Sequence, residues 1–142
     1  MEDVAIHVKG MEPAGYEPRV LKGMGLAYAT SCRGACHLRA TFYKAELSGM
    51  IDKDQIEGKA EVFVDFEERL TLHDVLIVCR FYRDMYMWDE LGEIIRLTTG
   101  LDLNKEGLKR LASHVIDLTR KFNLREGITK ADDTLPRRFF EE

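Results

Sequence analysis

From Asn104 onward one spacing leaves the chain little freedom. Leu108, Leu111, Ala112, Val115, Ile116, Thr119 and Phe122 recur at intervals of three and four residues. Lys105, Lys109, Arg110, Asp117 and Lys121 fill the gaps. At 3.6 residues per turn this gathers the apolar groups on one side of a helix and the charges on the other. Such a helix needs another element to cover its apolar stripe. Asn104 is suited to accept from the free N–H groups of the first turn.

The same period recurs upstream. Leu91, Ile94, Ile95 and Thr98 form a second stripe, with Gly100 as its stop. Leu72, Val75, Leu76, Cys79 and Tyr86 form a third, which predicts a helix running on through Cys79. Between Lys59 and Leu70, EVFVDF alternates like a strand, but Val62, Phe66, Arg69 and Leu70 fit a helix, and the charged DFEER run favours helix. Pro18 suits the first position of a helix carrying Leu21, Met24, Gly25 and Tyr28, fraying near Ser31–Gly34. Gly23 and Gly25 are costly inside a helix, so they suggest close packing of another backbone. Residues 35–47 (ACHLRATFYKAEL) stay open between strand and helix. Residues 1–18, 48–58 and 123–142 read as loops, with Val4, Ile6 and Val8 able to form one short strand. The expectation is an all-α, multihelical fold with irregular connecting loops, as one domain over residues 1–142.

Composition bounds the function. Twenty-one basic and 25 acidic residues give a net charge of −4, which offers no basic footprint for nucleic acid. No apolar run approaches the length of a membrane span. Met1–Gly10 lacks a basic segment followed by a hydrophobic stretch, so a secretory leader is not expected and a cytoplasmic location is. The three cysteines, Cys32, Cys36 and Cys79, are then expected as reduced thiols. Three thiols fall one short of the four that an iron–sulfur cluster takes.

Several residues have types that carry chemistry. Cys32, Cys36, His37 and Cys79 would suffice for a Cys₃His zinc site, although C-x₃-C-H matches no strong zinc template. The alternative is that Cys32 and Cys36 are small buried side chains. Cys79, on an apolar stripe, reads as a core residue. In an unbroken helix Asp74 and Cys79 lie about 140° apart, so they serve one cofactor only if the backbone bends between them or the cofactor is large. His37 and Arg39 share a face if their segment is extended, one able to move protons and the other to pair with an anion. His7, His73 and His114 have no such company, and Asp132, Asp133, Arg137 and Arg138 read as surface charges. On these grounds alone the chain is a helical domain with a potential thiol ligand.

Three segments add a resemblance. VKGMEPAGYEPR (Val8–Arg19) running into KGMGLAYATSCRGACHLRA (Lys22–Ala40), then DVLIVCRF (Asp74–Phe81), then FNLREGITKADDTLPRRF (Phe122–Phe139), resemble the C-terminal part of the aldehyde:ferredoxin oxidoreductases, in the family's order. These are tungsten–pterin enzymes that oxidise aldehydes to carboxylic acids and pass electrons through a 4Fe-4S cluster to ferredoxin. The resemblance implies that an N-terminal pterin-binding portion, with three cluster cysteines, lies outside this chain, and that the chain alone is inactive and binds no cofactor. It assigns Cys79 as the fourth cluster ligand and Asp74 as the pterin-contacting carboxylate of a D-x-x-G-L-C motif. It places His37 over the metal site as a proton carrier, with Arg39 as its cationic neighbour near the cofactor, and brings the Lys9–Pro13 loop toward the cofactor. The motif's Gly-Leu is Ile77-Val78 here, and Ile77 favours neither a turn nor a close backbone approach. Two other readings stand beside this one. The chain is a non-catalytic helical interaction module derived from that family, or it is a small zinc-binding domain.

Overall fold

The computed structural model describes residues 4–141. The first residues of the Met1–Gly10 segment, and the last of the 123–142 tail, lie outside that range. Among the described residues five α-helices make the fold: α1 (Lys22–Thr30), α2 (Tyr43–Leu47), α3 (Lys59–Val75), α4 (Trp88–Thr99) and α5 (Lys105–Arg125). Among the described residues there is no strand, only an isolated bridge in which Val8 and Met11 exchange N–H···O bonds at 3.0 Å. The all-α expectation holds. The short strand over Val4, Ile6 and Val8 does not form, and Ile6 is exposed.

Helix ends follow local chemistry. Asn104 Oδ1 accepts from Gly107 N at 2.9 Å, and Gly100 closes α4 at φ +78°. Glu90 caps the start of α4 by accepting from Met87 N. Pro18, by contrast, does not begin a helix. It sits in a turn, and α1 starts at Lys22. The ambiguous 35–47 segment resolves into turns followed by the five residues of α2.

Helix α3 is the common strut, packing against α1, α4 and α5. Its first half closes one core with α1 and α2, in which Phe42 meets the Phe63 and Phe66 rings edge-on at 5.5 and 5.7 Å. Gly23 is required here because a Cβ would collide with the Phe42 ring. The far end of α3 supplies Leu72 to a second core with Trp88, Leu91, Ile95, Leu108 and Ala112. Polar bonds tie the same helices. Asp65 accepts from Trp88 Nε1 at 3.3 Å and Lys109 Nζ at 3.0 Å, and Glu68 accepts from Ser113 Oγ at 2.6 Å. The α5 stripe is buried at Leu108 and Ala112 but fades along the helix, and Phe122 is exposed.

A buried ion pair joins the first core. Glu46 Oε1, on α2, accepts from Lys59 Nζ at 2.6 Å and from Gly23 N at 2.8 Å. It thereby links α2, the start of α3 and the first turn of α1. Removing one member strands the other charge, whereas replacing both with apolar groups need not cost anything. Glu46→Ala should lose about 3–5 kcal/mol in denaturant unfolding, and the double variant Glu46→Met/Lys59→Met should recover most of that loss.

His73, fully buried, clamps the segment that follows α3. Its Nε2 lies 3.0 Å from the Tyr86 carbonyl, and Nδ1 is buried without a partner among the described residues. Burial first, then the Arg69 and Arg80 charges, lowers its pKa. The folded state thus binds fewer protons at His73 than the unfolded chain. Its contribution to stability is full above the ordinary histidine value, near 6.5, and is lost as pH falls below it. Denaturant midpoints measured down through this range should fall, and they should fall less steeply in His73→Gln.

Candidate functional site

The third stripe does not continue as one helix. α3 ends at Val75, Leu76 caps it, and Ile77 turns left-handed at φ +58°. Val78 N then donates to His73 O at 2.8 Å, and Cys79 leaves extended at φ −60°, ψ 133°. Cys79 is therefore exposed and not a core residue. The backbone bends between Asp74 and Cys79, so the two are not held at the separation that an unbroken helix would impose. Ile77, which stands where the motif has glycine, takes a left-handed conformation that glycine adopts without strain. A β-branched residue is strained there. Its side chain is 92 % exposed and contributes no packing in return.

Asp74 is the hub of the site. Its Oδ2 accepts from Arg39 Nη1 and from Arg80 Nη2, each at 2.6 Å. This ties the loop before α2 to the turn after α3. The orphan donors Arg39 Nε and Arg80 Nη1 are buried without an acceptor among the described residues. Reasoning from sequence misses Arg80, whose one signal is its place directly after Cys79.

The loop carrying His37 is held from several sides. Arg33 lays its Nε and one Nη on Cys36 Sγ at 3.1 and 2.9 Å, and Leu38 N also points at that sulfur, at 3.4 Å. Gly34, at φ +104°, lies so close to the Val8–Met11 turn that a Cβ would strike the Val8 carbonyl. Lys9 reaches under the loop to the carbonyls of Ala29 and Ser31 at 2.7 and 2.9 Å, and pairs with Asp133 at 2.7 Å. Asp133 also takes Arg120, so it is an internal tie and not the surface charge expected. His37 is half-buried, its ring 5.7 Å from that of Tyr16, which itself stacks on Tyr43 at 4.1 Å. Burial, then the Arg33 charge, lowers the His37 pKa. Both effects favour the neutral imidazole.

Beside Arg39 and Asp74, a cavity of about 240 Å³ opens between α3 and α5. Glu67 lines it, its pKa raised by burial against the opposing pull of Arg39. The four-residue zinc set is not assembled. Cys36 is buried under Arg33 while Cys79 is exposed, and no three His, Cys, Asp or Glu side chains among the described residues are grouped to hold a metal ion. Among the described residues no helix is long and apolar enough to cross a membrane.

With these positions known, comparison with known proteins decides the family. The family described as "Aldehyde ferredoxin oxidoreductase, domains 2 & 3" matches residues 1–142, end to end. The chain belongs to the aldehyde ferredoxin oxidoreductase family. It is 31% identical over 145 aligned residues to the tungsten-containing aldehyde ferredoxin oxidoreductase of Pyrococcus furiosus, covering 99% of this chain and 24% of that protein. The corresponding protein of Thermococcus kodakarensis is 30% identical, with the same coverages, and that of Pyrococcus abyssi is 30% identical over 140 residues, 95% of this chain and 23% of the relative. The chain thus spans about a quarter of the length of the curated aldehyde ferredoxin oxidoreductases it matches.

The strain at Ile77 is measurable. Because the side chain buries almost nothing, Ile77→Gly should raise the unfolding free energy by about 1 kcal/mol, net of glycine's greater freedom in the unfolded chain. A loss of similar size in denaturant titration would show that no strain is stored there.

Proposed function

We propose that this chain is a single helical domain, the C-terminal part of a cytoplasmic tungsten–pterin aldehyde:ferredoxin oxidoreductase. Its partner is an N-terminal pterin-binding portion that carries the other three cluster cysteines, and the assembled enzyme oxidises aldehydes to carboxylic acids. The observation that carries this reading is the left-handed turn at Ile77, which exposes the Cys79 sulfur five residues from an anchored Asp74. An exposed thiol with no ligand companions among the described residues suits a cluster completed from elsewhere. The unsatisfied donors of Arg39 and Arg80 suit an electron-rich cofactor beside Asp74.

In this reading Cys79 holds the 4Fe-4S cluster, and Asp74, with Arg39, contacts the pterin. When bound, the tungsten–pterin centre supplies the two-electron oxidation and the cluster relays single electrons to ferredoxin. The chain's own groups do the remaining work. His37, kept neutral by burial and by Arg33, accepts a proton at a ring nitrogen. The Tyr16–Tyr43 stack bounds the space its ring can occupy. Arg39 and Arg80 fix the Asp74 carboxylate. A left-handed turn after Asp74, of the kind a glycine would make, supports this reading over a non-catalytic derivative.

The test is co-expression with the pterin-binding portion, followed by iron and tungsten quantification. The assembled wild type should carry both metals, and the chain alone should carry no stoichiometric iron. Cys79→Ser should change the cluster's electron paramagnetic resonance signal and lower its iron content. An identical spectrum would remove Cys79 from the cluster and overturn the reading.

A further inference from the structure

The segment that leaves α3 has its side chains the wrong way round for a free surface. Within residues 77–87 the arginines fold inward and the large apolar groups point outward. Arg80 is half-buried on Asp74. Arg83, also half-buried, donates to the Arg80 carbonyl at 2.9 Å and to Tyr43 Oη at 3.4 Å. Asp84 pairs with Lys44 of α2, Arg69 Nη1 donates to the Arg83 carbonyl, and His73 Nε2 lies against that of Tyr86. Polar contacts and backbone thus set the path of the segment. Ile77 is 92 % exposed and Phe81 87 %, the highest values for large apolar side chains among the described residues. Tyr82, Met85 and Met87 are exposed with them. Neither Ile77 nor Phe81 belongs to either core. Cys79 stands between the two.

The apolar surface does not stop at Met87. Met87, Leu47, Met50 and Phe66 line a groove of about 580 Å³ shared by α2, α3 and this segment, and Leu47 and Met50 are themselves exposed. Aromatic and methionine side chains gather at the buried centres of protein interfaces, and an apolar patch of this kind marks a contact site. Most of the length of the curated relatives, of which this chain covers 24%, lies outside the matched stretch. A partner that brings thiolates to the Cys79 sulfur has to pass over the side chains on either side of it. We propose that residues 77–87, with the groove that continues them, are the surface on which the pterin-binding portion of the enzyme docks, through an apolar face of its own. The identity of the partner rests on the redox reading above. The hold itself comes from the apolar strip, so docking does not need the bond from Cys79 to iron, and the two ideas can fail separately.

The test is co-expression of the 142-residue chain with an affinity-tagged pterin-binding portion, measuring how much chain is retained and how fast it is released on dilution. Phe81→Ser and Met85→Ser should each speed release about tenfold or more, while the denaturant midpoint of the free chain stays where it is, because both side chains are exposed there. Leu97→Ser, at an exposed apolar position on α4, is the control and should release at the wild-type rate. Cys79→Ser should change the cluster and still be retained. In the wild-type complex Met85 and Met87 should be oxidised by hydrogen peroxide several-fold more slowly than in the free chain, a readout that needs no variant. Wild-type release rates in both Phe81→Ser and Met85→Ser, or methionines oxidised equally fast free and in complex, would overturn the docking surface and leave the redox reading standing. Loss of retention in Cys79→Ser but not in the strip variants would place the hold on the cluster and overturn it too. A wild-type chain that pairs with a second copy through Phe81, and is not retained by the tagged portion, would overturn the choice of partner.

Discussion

One carboxylate oxygen receives two guanidinium groups at Asp74, and the chain's chemistry is arranged around that meeting. Arg39 comes from the loop that carries His37, and Arg80 from the turn that carries Cys79. The junction joins distant stretches of chain, Arg39 and Asp74 being 35 residues apart in sequence. Partly shielded charge-assisted bonds of this kind are stronger than exposed ion pairs and specify geometry as well as adding energy. The cost is local. Arg39 Nε and Arg80 Nη1 go unpaired among the described residues, and a β-branched residue is held left-handed three positions after Asp74.

That cost has a pattern. The non-glycine residues with positive φ among those described are Lys9, Thr41 and Ile77. Thr41 and Ile77 border the His37 loop and the turn after α3, which meet at the junction, and Lys9 lies in the loop clamped under α1. Strained backbone persists where the surroundings over-determine it, and it gathers where a chain is shaped for a task. The surroundings here are two well-filled cores sharing α3, with the Glu46–Lys59 pair fixing one end of that helix and the Asp65–Glu68 bonds fixing its middle.

What can be read from the residues alone divides along the same line. Helices α4 and α5 are legible because periodic stripes, an Asn cap and a Gly stop all agree. The end of α3 is not. Leu72, Val75, Leu76 and Cys79 keep the helical period across a point where the backbone leaves the helix, and nothing local to Ile77 announces a left-handed turn. Pro18 has the right chemistry for a helix start but is taken up by a turn. Asp133 looks like a solvated charge because its partners, Lys9 and Arg120, are distant in sequence. His37, Arg39, Asp74 and Cys79 stand out chiefly by resemblance. Their spacing gives no reason to expect that Arg39 and Asp74 touch.

The division of α3 between two cores also decides what can be seen by light. The chain has one tryptophan, Trp88, and it lies in the core that α3 shares with α4 and α5. Its emission reports on that half of the molecule and is nearly blind to α1, α2 and the loop of His37. Tyr16 and Tyr43, stacked beside that loop, are the native chromophores placed to report on it.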